Sequence, residues 1–425
     1  MNHFGNLVEK VQKMMNIELL KKIDPQLAEC LALETARQED NLEMIASESV
    51  QPTMTLELAG SIFNNKTAVG NPAKQRLKGS QYVAQLEVLS AERACQVFGA
   101  DHAIMTTYSS SVANYCAYAA CLNLGDHVLS MDPSAGAHQT HGGGKNISSR
   151  LYSFRYFGLN KDTLLVDYDE AERITKEFKP KLIVVGSAAY SRDLDYKRLA
   201  DIAHNNGALL MADIAHFTGL IAAGLSPNPV PYADIVTAST TKTMCGPHSG
   251  FIMCKKELAD IIDNSVYPGV VASLHVQTIA AMTYALQYSQ TPEFKDLMAR
   301  ILKNAKYFCD ALQKRGFGIL TGGTDCHMFV ADLRPFGVDC ERLADVMQDV
   351  GITVNTKAIP FDNHPTARGL RAGVTVLTQR GFGEKELDEV ADLWLTLATK
   401  LDDAEAVAGV KAKVAELAKK FPLPN

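Results

Sequence analysis

The chain lacks the features that would commit it to a membrane, a nucleic acid or an oxidising compartment. No window approaches the roughly 18 continuous apolar residues of a membrane span. Lys and Arg number 42 against 48 Asp and Glu, giving a net charge of −6. With no basic run carrying interleaved aromatics, nothing supports a nucleic-acid partner. The nine cysteines are scattered singly with no CxxC pair, which points to free thiols rather than a disulfide frame or a zinc site. The first residues, "MNHFGNLVEKVQKMMNIELL", are amphipathic and contain acids. No apolar run there leads to a small-residue cleavage site, so a cytoplasmic location is expected. There is no low-complexity tract and no evident internal repeat.

What is present is an ordinary globular composition. The 425 residues are 47% hydrophobic and 21% charged, enough for a large core and two domains. Apolar runs at 102–107, 126–132, 181–188, 207–215, 233–240 and 250–254 read as buried strands. Helical patterns such as Ser110–Leu122 and Tyr196–Asn206 lie between them. That alternation predicts a mostly parallel sheet covered on both faces, with ligands at the carboxyl ends of its strands. Beyond Pro292 the rhythm changes to a long helix, then "FGILTG", "HMFVADL", the helix "CERLADVMQDVG", "ITVN", "LRAGVTVL" and a helix from Glu384. This reads as a smaller α/β unit with an antiparallel sheet.

Four strand-end features carry chemistry. Lys242, in "STTKTMCGPHSG", follows a buried strand and sits among small hydroxyl residues. Asp213 ends "LLMAD", with His216 three residues later; an acid there needs a cation or donors. Ser109, Ser110 and Ser111 open a helix after a strand, where free N–H groups and hydroxyls bind anions, although N-capping alone would use one of the three. His138 and His141 lie in the glycine-rich "SAGAHQTHGGGKN". The HxxH spacing has no third ligand nearby, so no metal is expected. The "GGGK" lacks the spacing of a phosphate-binding P-loop. An anion cup, an acid for a ring nitrogen, a flat side chain to stack and a lysine amine together suit pyridoxal phosphate.

From "NLEMIASES" through "PKLIVVGSAAYSR", "LMADIAHFTGLIAAGLSPNPVPYADIVT", "TKTMCGP", "GGTDCHMFVADLRPFG" and "GITVNTKAIPFD" to "TQRGFGEKEL", the chain resembles the serine hydroxymethyltransferase family. The resemblance implies an α/β, fold-type I pyridoxal phosphate transferase fold. Its large domain has a mostly parallel seven-stranded sheet and is joined to a smaller C-terminal α/β domain. The expected divisions are a helical arm at 1–50, the cofactor-binding domain at 51–290 and the small domain at 291–425. It also implies a homodimer or dimer of dimers with shared sites. Carried over by motif, Lys242 forms the Schiff base with the cofactor. Asp213 pairs with the pyridine nitrogen, His216 lies near the ring hydroxyl and His138 stacks on the ring. Ser109, Ser110 and Ser111 hold the phosphate, with Ala272 and Ser273 contributing across the interface. Arg371 clamps the substrate carboxylate, with Arg368 its neighbouring competitor, and Ser47 and Glu48 lie near the substrate.

The departures from the family pattern cluster at this site. The acid–base glutamate of the family is Val69, and the tyrosine before it is Thr67. Two paired tyrosines are Arg76 and Leu77. The histidine before the lysine is Thr241, and the arginine of the following turn is His248. Pro133, Ala137 and Gln139 alter the stretch that helps form the folate pocket, and a Gln-Gly-Gly reads Val271, Ala272, Ser273. A valine cannot move a proton. The expectation is therefore a pyridoxal phosphate enzyme acting at Cα of a small amino acid, without tetrahydrofolate, by aldol cleavage or transaldolation, β-elimination or decarboxylation. An authentic glycine/serine hydroxymethyltransferase and a non-catalytic cofactor-binding regulator remain the alternatives. Arg76, His248 and Gln139 are candidate new substrate contacts.

Overall fold

The computed structural model describes residues 16–424; most of the N-terminal amphipathic stretch therefore lies outside the described residues. Two helices, Ile17–Ile23 and Pro25–Asp40, lead into a short strand β1 (Leu42–Glu43). The second helix begins where Asp24 caps the Leu27 N–H and Pro25 takes the first helical position.

The centre is a seven-stranded sheet of β2 (His102–Ile104), β3 (His127–Met131), β4 (Ser153–Phe157), β5 (Leu182–Gly186), β6 (Leu209–Asp213), β7 (Ile235–Ser239) and β8 (Gly250–Cys254). Its order is β2-β8-β7-β6-β5-β3-β4, parallel except at β8, which runs antiparallel to both neighbours. Strands β5, β7 and β8 are buried at every position. Alternate residues feed opposite faces: Ile183 and Val185 join the larger core, Leu182 and Val184 the second. Every apolar strand expected from sequence is found, with ends trimmed by a few residues. Strand β4 falls outside the apolar runs of the sequence. "SFRYF" alternates exposed and half-buried positions at the sheet edge, so it carries none of the continuous apolar signal of a central strand.

Four more strands build an antiparallel sheet: β9 (Gly318–Ile319), β10 (Met328–Asp332), β12 (Asn355–Lys357) and β13 (Gly369–Gly373), in the order β12-β13-β10-β9. The segment "ITVN" does not enter this sheet as a unit. Its first residues form β11 (Ile352–Thr353), which pairs in parallel with β1 and ties the N-terminal arm to this half of the molecule. Likewise "LRAGVTVL" is a strand only to Gly373, and Thr375–Gln379 is helical. Among the described residues no helix is long and apolar enough to cross a membrane, and the nine cysteines are all free.

Candidate active site

The parallel strands deliver the site at their carboxyl ends. Asp213 is the last residue of β6, and Lys242 follows β7 by three residues. Lys242 has a left-handed backbone, φ 53°, as does Cys245 at φ 55°. For residues with a Cβ this costs roughly 1–3 kcal/mol each, so the turn has to be held from outside. Thr240 Oγ1 donates to Pro247 O at 2.6 Å, Gly246 N to Thr240 O at 2.7 Å, and Thr243 Oγ1 to His216 O at 2.9 Å. Gly219 packs so closely on Thr243 that any side chain there would strike its carbonyl.

Asp213 is buried and fully engaged. Its Oδ2 accepts from Asn114 Nδ2 at 2.9 Å and faces His141 Nε2 at 3.1 Å, while Oδ1 accepts from Ala215 N at 2.9 Å. Burial alone would raise its pKa. The His141 hydrogen bond, the nearby His141 and His138 rings and the Asn114 amide overcome it and hold the carboxyl well below the usual range. The partners are themselves fixed. Thr237 Oγ1 donates to Asn114 Oδ1 at 2.6 Å, Tyr118 OH meets His141 Nδ1 at 2.6 Å, and Thr140 Oγ1 lies 2.7 Å from His138 Nδ1. His141 is thus the ring that supports the acid, a role that reading its HxxH spacing against metal sites missed. Asn114 was missed as well; its only sequence signal is a polar residue on the buried face of an otherwise apolar helix.

Lys242 is driven toward its neutral form by burial, with Asp213 opposing and Arg371 reinforcing. Among the described residues no carboxylate lies within ion-pair distance of Lys242. The lysine lines a cavity of about 710 Å³ together with Ser109 and Ser110, Ser47 and Glu48, and His248. Ser109 caps the helix Ser110–Cys121 through Val112 N at 3.2 Å, and the hydroxyls of Ser110 and Ser111 have no hydrogen-bond partner among the described residues. Gly250 of β8 lets the Ser109–Ser110 backbone lie directly on the sheet; a Cβ there would collide with it. Ser111 is on the same first turn but not on the cavity wall.

The loop 46–50 is clamped over the cavity. Gln379 bonds both the N–H and the carbonyl of Val50 at 2.8 Å, and His327 Nε2 lies 2.9 Å from Ala46 O. His327 also stacks on His216, with ring centroids 5.6 Å apart. Burial holds both rings neutral, His327 at about 3 and His216 well below its ordinary value. His138 is likewise shifted down by burial. Glu48 goes the other way: burial and the adjacent Glu43 carboxylate push it up to about 7. Glu43 is pinned by Arg37 Nη1 at 3.1 Å and Ile45 N at 3.0 Å.

Arg371, on β13, donates to Ala188 O at 2.6 Å and to Asn355 Oδ1 at 3.1 Å. It has no carboxylate partner among the described residues, whereas Arg368 pairs with Asp362 at 3.1 Å. Ala272 and Ser273 are exposed and lie off the cavity wall. The Ser273 carbonyl instead accepts from Tyr108 OH, and Ser273 bridges to Val69 in the same chain. Of the three candidate new contacts, His248 lines the cavity. Arg76 stacks 5.6 Å over Tyr267, and Gln139 folds back against Gly143.

A buried amine with no counter-ion among the described residues, an ionised acid, neutral imidazoles and a serine-rich helix N-terminus are a donor set that fits pyridoxal phosphate. The seven-stranded, mostly parallel sheet is that of a fold-type I pyridoxal phosphate enzyme. The serine hydroxymethyltransferase family profile matches residues 20–394, and the chain belongs to that family, whose members use this cofactor to act at Cα of amino acids.

Proposed function

We propose that this protein is a folate-independent member of the family, a cytoplasmic enzyme breaking or forming a bond at Cα of a small amino acid. The observation that carries the cofactor reading is Lys242, an unpaired buried amine in one cavity with the Ser109–Ser110 helix start. Lys242 would hold the cofactor through its amine, Asp213 would keep the ring nitrogen protonated, His138 would stack on the ring and His216 would stand near its hydroxyl. Ser109, Ser110 and Ser111 would receive the phosphate, Ser110 with the clearest access. When bound, pyridoxal phosphate supplies an electron sink for the bond broken at Cα. Arg371 fixes the substrate carboxylate as a charge-assisted pair, and Ser47 lies near the substrate.

Folate independence rests on Val69 and on the altered Pro133–Gln139 stretch. Glu48 is then the cavity's proton carrier, because a carboxyl with a pKa near 7 both accepts and donates at neutral pH. We further propose chain divisions near residues 50 and 290, and a homodimer or dimer of dimers. Exposed Met54, Ile62, Leu77, Tyr82, Leu89 and Val270 support a covered face there, and Ala272 and Ser273 would reach the partner's phosphate site.

The test is glycine formation from serine with and without tetrahydrofolate, beside an absorbance screen of the holoenzyme against amino acids. Tetrahydrofolate should neither bind nor accelerate turnover, and Val69→Glu alone should not change that. Robust folate-dependent turnover would establish an authentic hydroxymethyltransferase instead. Silence toward every amino acid would favour a cofactor-binding regulator.

A further inference from the structure

We propose that the substrate carries a second anionic group besides its α-carboxylate, and that Lys357 beside Arg371 receives it. The inference rests on the amino-acid reading above. In the β12–β13 register Asn355 stands opposite Arg371 and Lys357 opposite Gly369. Residues two apart on a strand share a face, so Asn355, Lys357 and Arg371 lie together. That face meets the loops at the carboxyl ends of the parallel strands. Arg371 Nη1 donates to Ala188 O beyond β5, and Lys357 Nζ to Pro133 O beyond β3, at a long 3.4 Å.

Both cations are partly buried, and among the described residues neither has a carboxylate within ion-pair distance. Asp132 is near enough to favour the Lys357 charge but forms no ion pair with it, and its Oδ1 accepts from Ser134 N at 2.7 Å. Just outside this sheet the arginines are paired, Arg368 before β13 with Asp362 and Arg334 after β10 with Asp332. Burial, with the Arg371 charge added, works against the ammonium of Lys357. The two cations, with no carboxylate at ion-pair distance among the described residues, oppose each other, and a bound anion relieves both. One α-carboxylate occupies the fork of Arg371. Lys357, with two N–H donors left after its single weak bond, is then free for another anion. It reaches this position at Pro133, the start of the stretch that departs from the family's folate wall. The ligand class is an amino acid bearing a further carboxylate or phosphate.

The experiment titrates the absorbance of the holoenzyme with L-serine, β-hydroxyaspartate and O-phospho-L-serine, for the unmodified protein, Lys357→Met and Lys357→Arg. One of the two anionic compounds should bind roughly ten- to a hundred-fold tighter than serine, and which one distinguishes carboxylate from phosphate. Lys357→Met should abolish that preference while leaving serine affinity unchanged, and Lys357→Arg should keep most of it. Equal affinity for all three compounds, or a Lys357→Met loss that falls equally on serine, overturns the proposal while the amino-acid reading stands. No spectral response to any amino acid removes both.

Discussion

Asp213 and Arg371 are charges set around the same lysine, and the chain treats them in opposite ways. Asp213 is surrounded by the Ala215 N–H and by Asn114 and His141, the latter two held in turn by Thr237 and Tyr118. Arg371 has two neutral acceptors, Ala188 O and the Asn355 amide, and no acid among the described residues. A buried charge whose bonds are complete is built to stay as it is. A buried charge left without a counter-ion destabilises the empty protein and is stabilised by what binds. The acid end of the site is thus preorganised, and the arginine end is complementary to a bound anion.

The sharpest test of this contrast is Lys242, on which the two charges act in opposite directions. Purified protein should be yellow, and borohydride should fix the cofactor on Lys242. Lys242→Ala should lose that linkage and lower turnover by on the order of 10³-fold or more. Trapped-peptide mapping to another lysine would move the centre of the site. Next in size is Glu48→Gln, expected to cost roughly 10²-fold in turnover. It should also erase the pH-rate limb near 7, while cofactor absorbance and serine affinity stay as they were. An unaltered pH profile would remove Glu48 as the proton carrier.

Arg371→Ala should weaken amino-acid binding by about 1.5–3 kcal/mol, roughly ten- to a hundred-fold, with cofactor content intact. Arg368→Ala should do little, because its charge is already matched by Asp362. A larger effect from Arg368 would reverse the assignment. A separate effect, read as stability rather than turnover, appears at acid pH. Free histidine titrates near 6.5, and in the fold His327 lies at about 3 with His216 also lowered. Between those values the unfolded chain binds more protons, so stability falls as pH drops below about 6.5, by up to roughly 1.4 kcal/mol per pH unit for each proton. The depressed Asp213 pKa extends that loss below about 3.8. Urea melts from pH 7 to 5 should trace the slope, and His327→Gln should reduce it. A flat profile would mean these rings are charged in the fold.

The sequence by itself determined the strand runs of the large sheet, because Val- and Ile-rich segments buried on both faces are continuous apolar signals. It also placed Asp213 and Lys242 at strand ends and Ser109 at a helix start, since each follows directly from a neighbouring element. Edge strand β4 escaped because one of its faces meets solvent. The tertiary structure alone decided which polar groups meet. Asp213 takes His141 from 72 residues away, His216 faces His327 across 111, and Arg368 rather than Arg371 finds a carboxylate among the described residues. It also turned Gln139 onto Gly143 and kept Ser111 off the cavity wall. Periodicity fixes the face on which a side chain stands, but its partner is set by segments that only the packing of distant elements brings within hydrogen-bond reach.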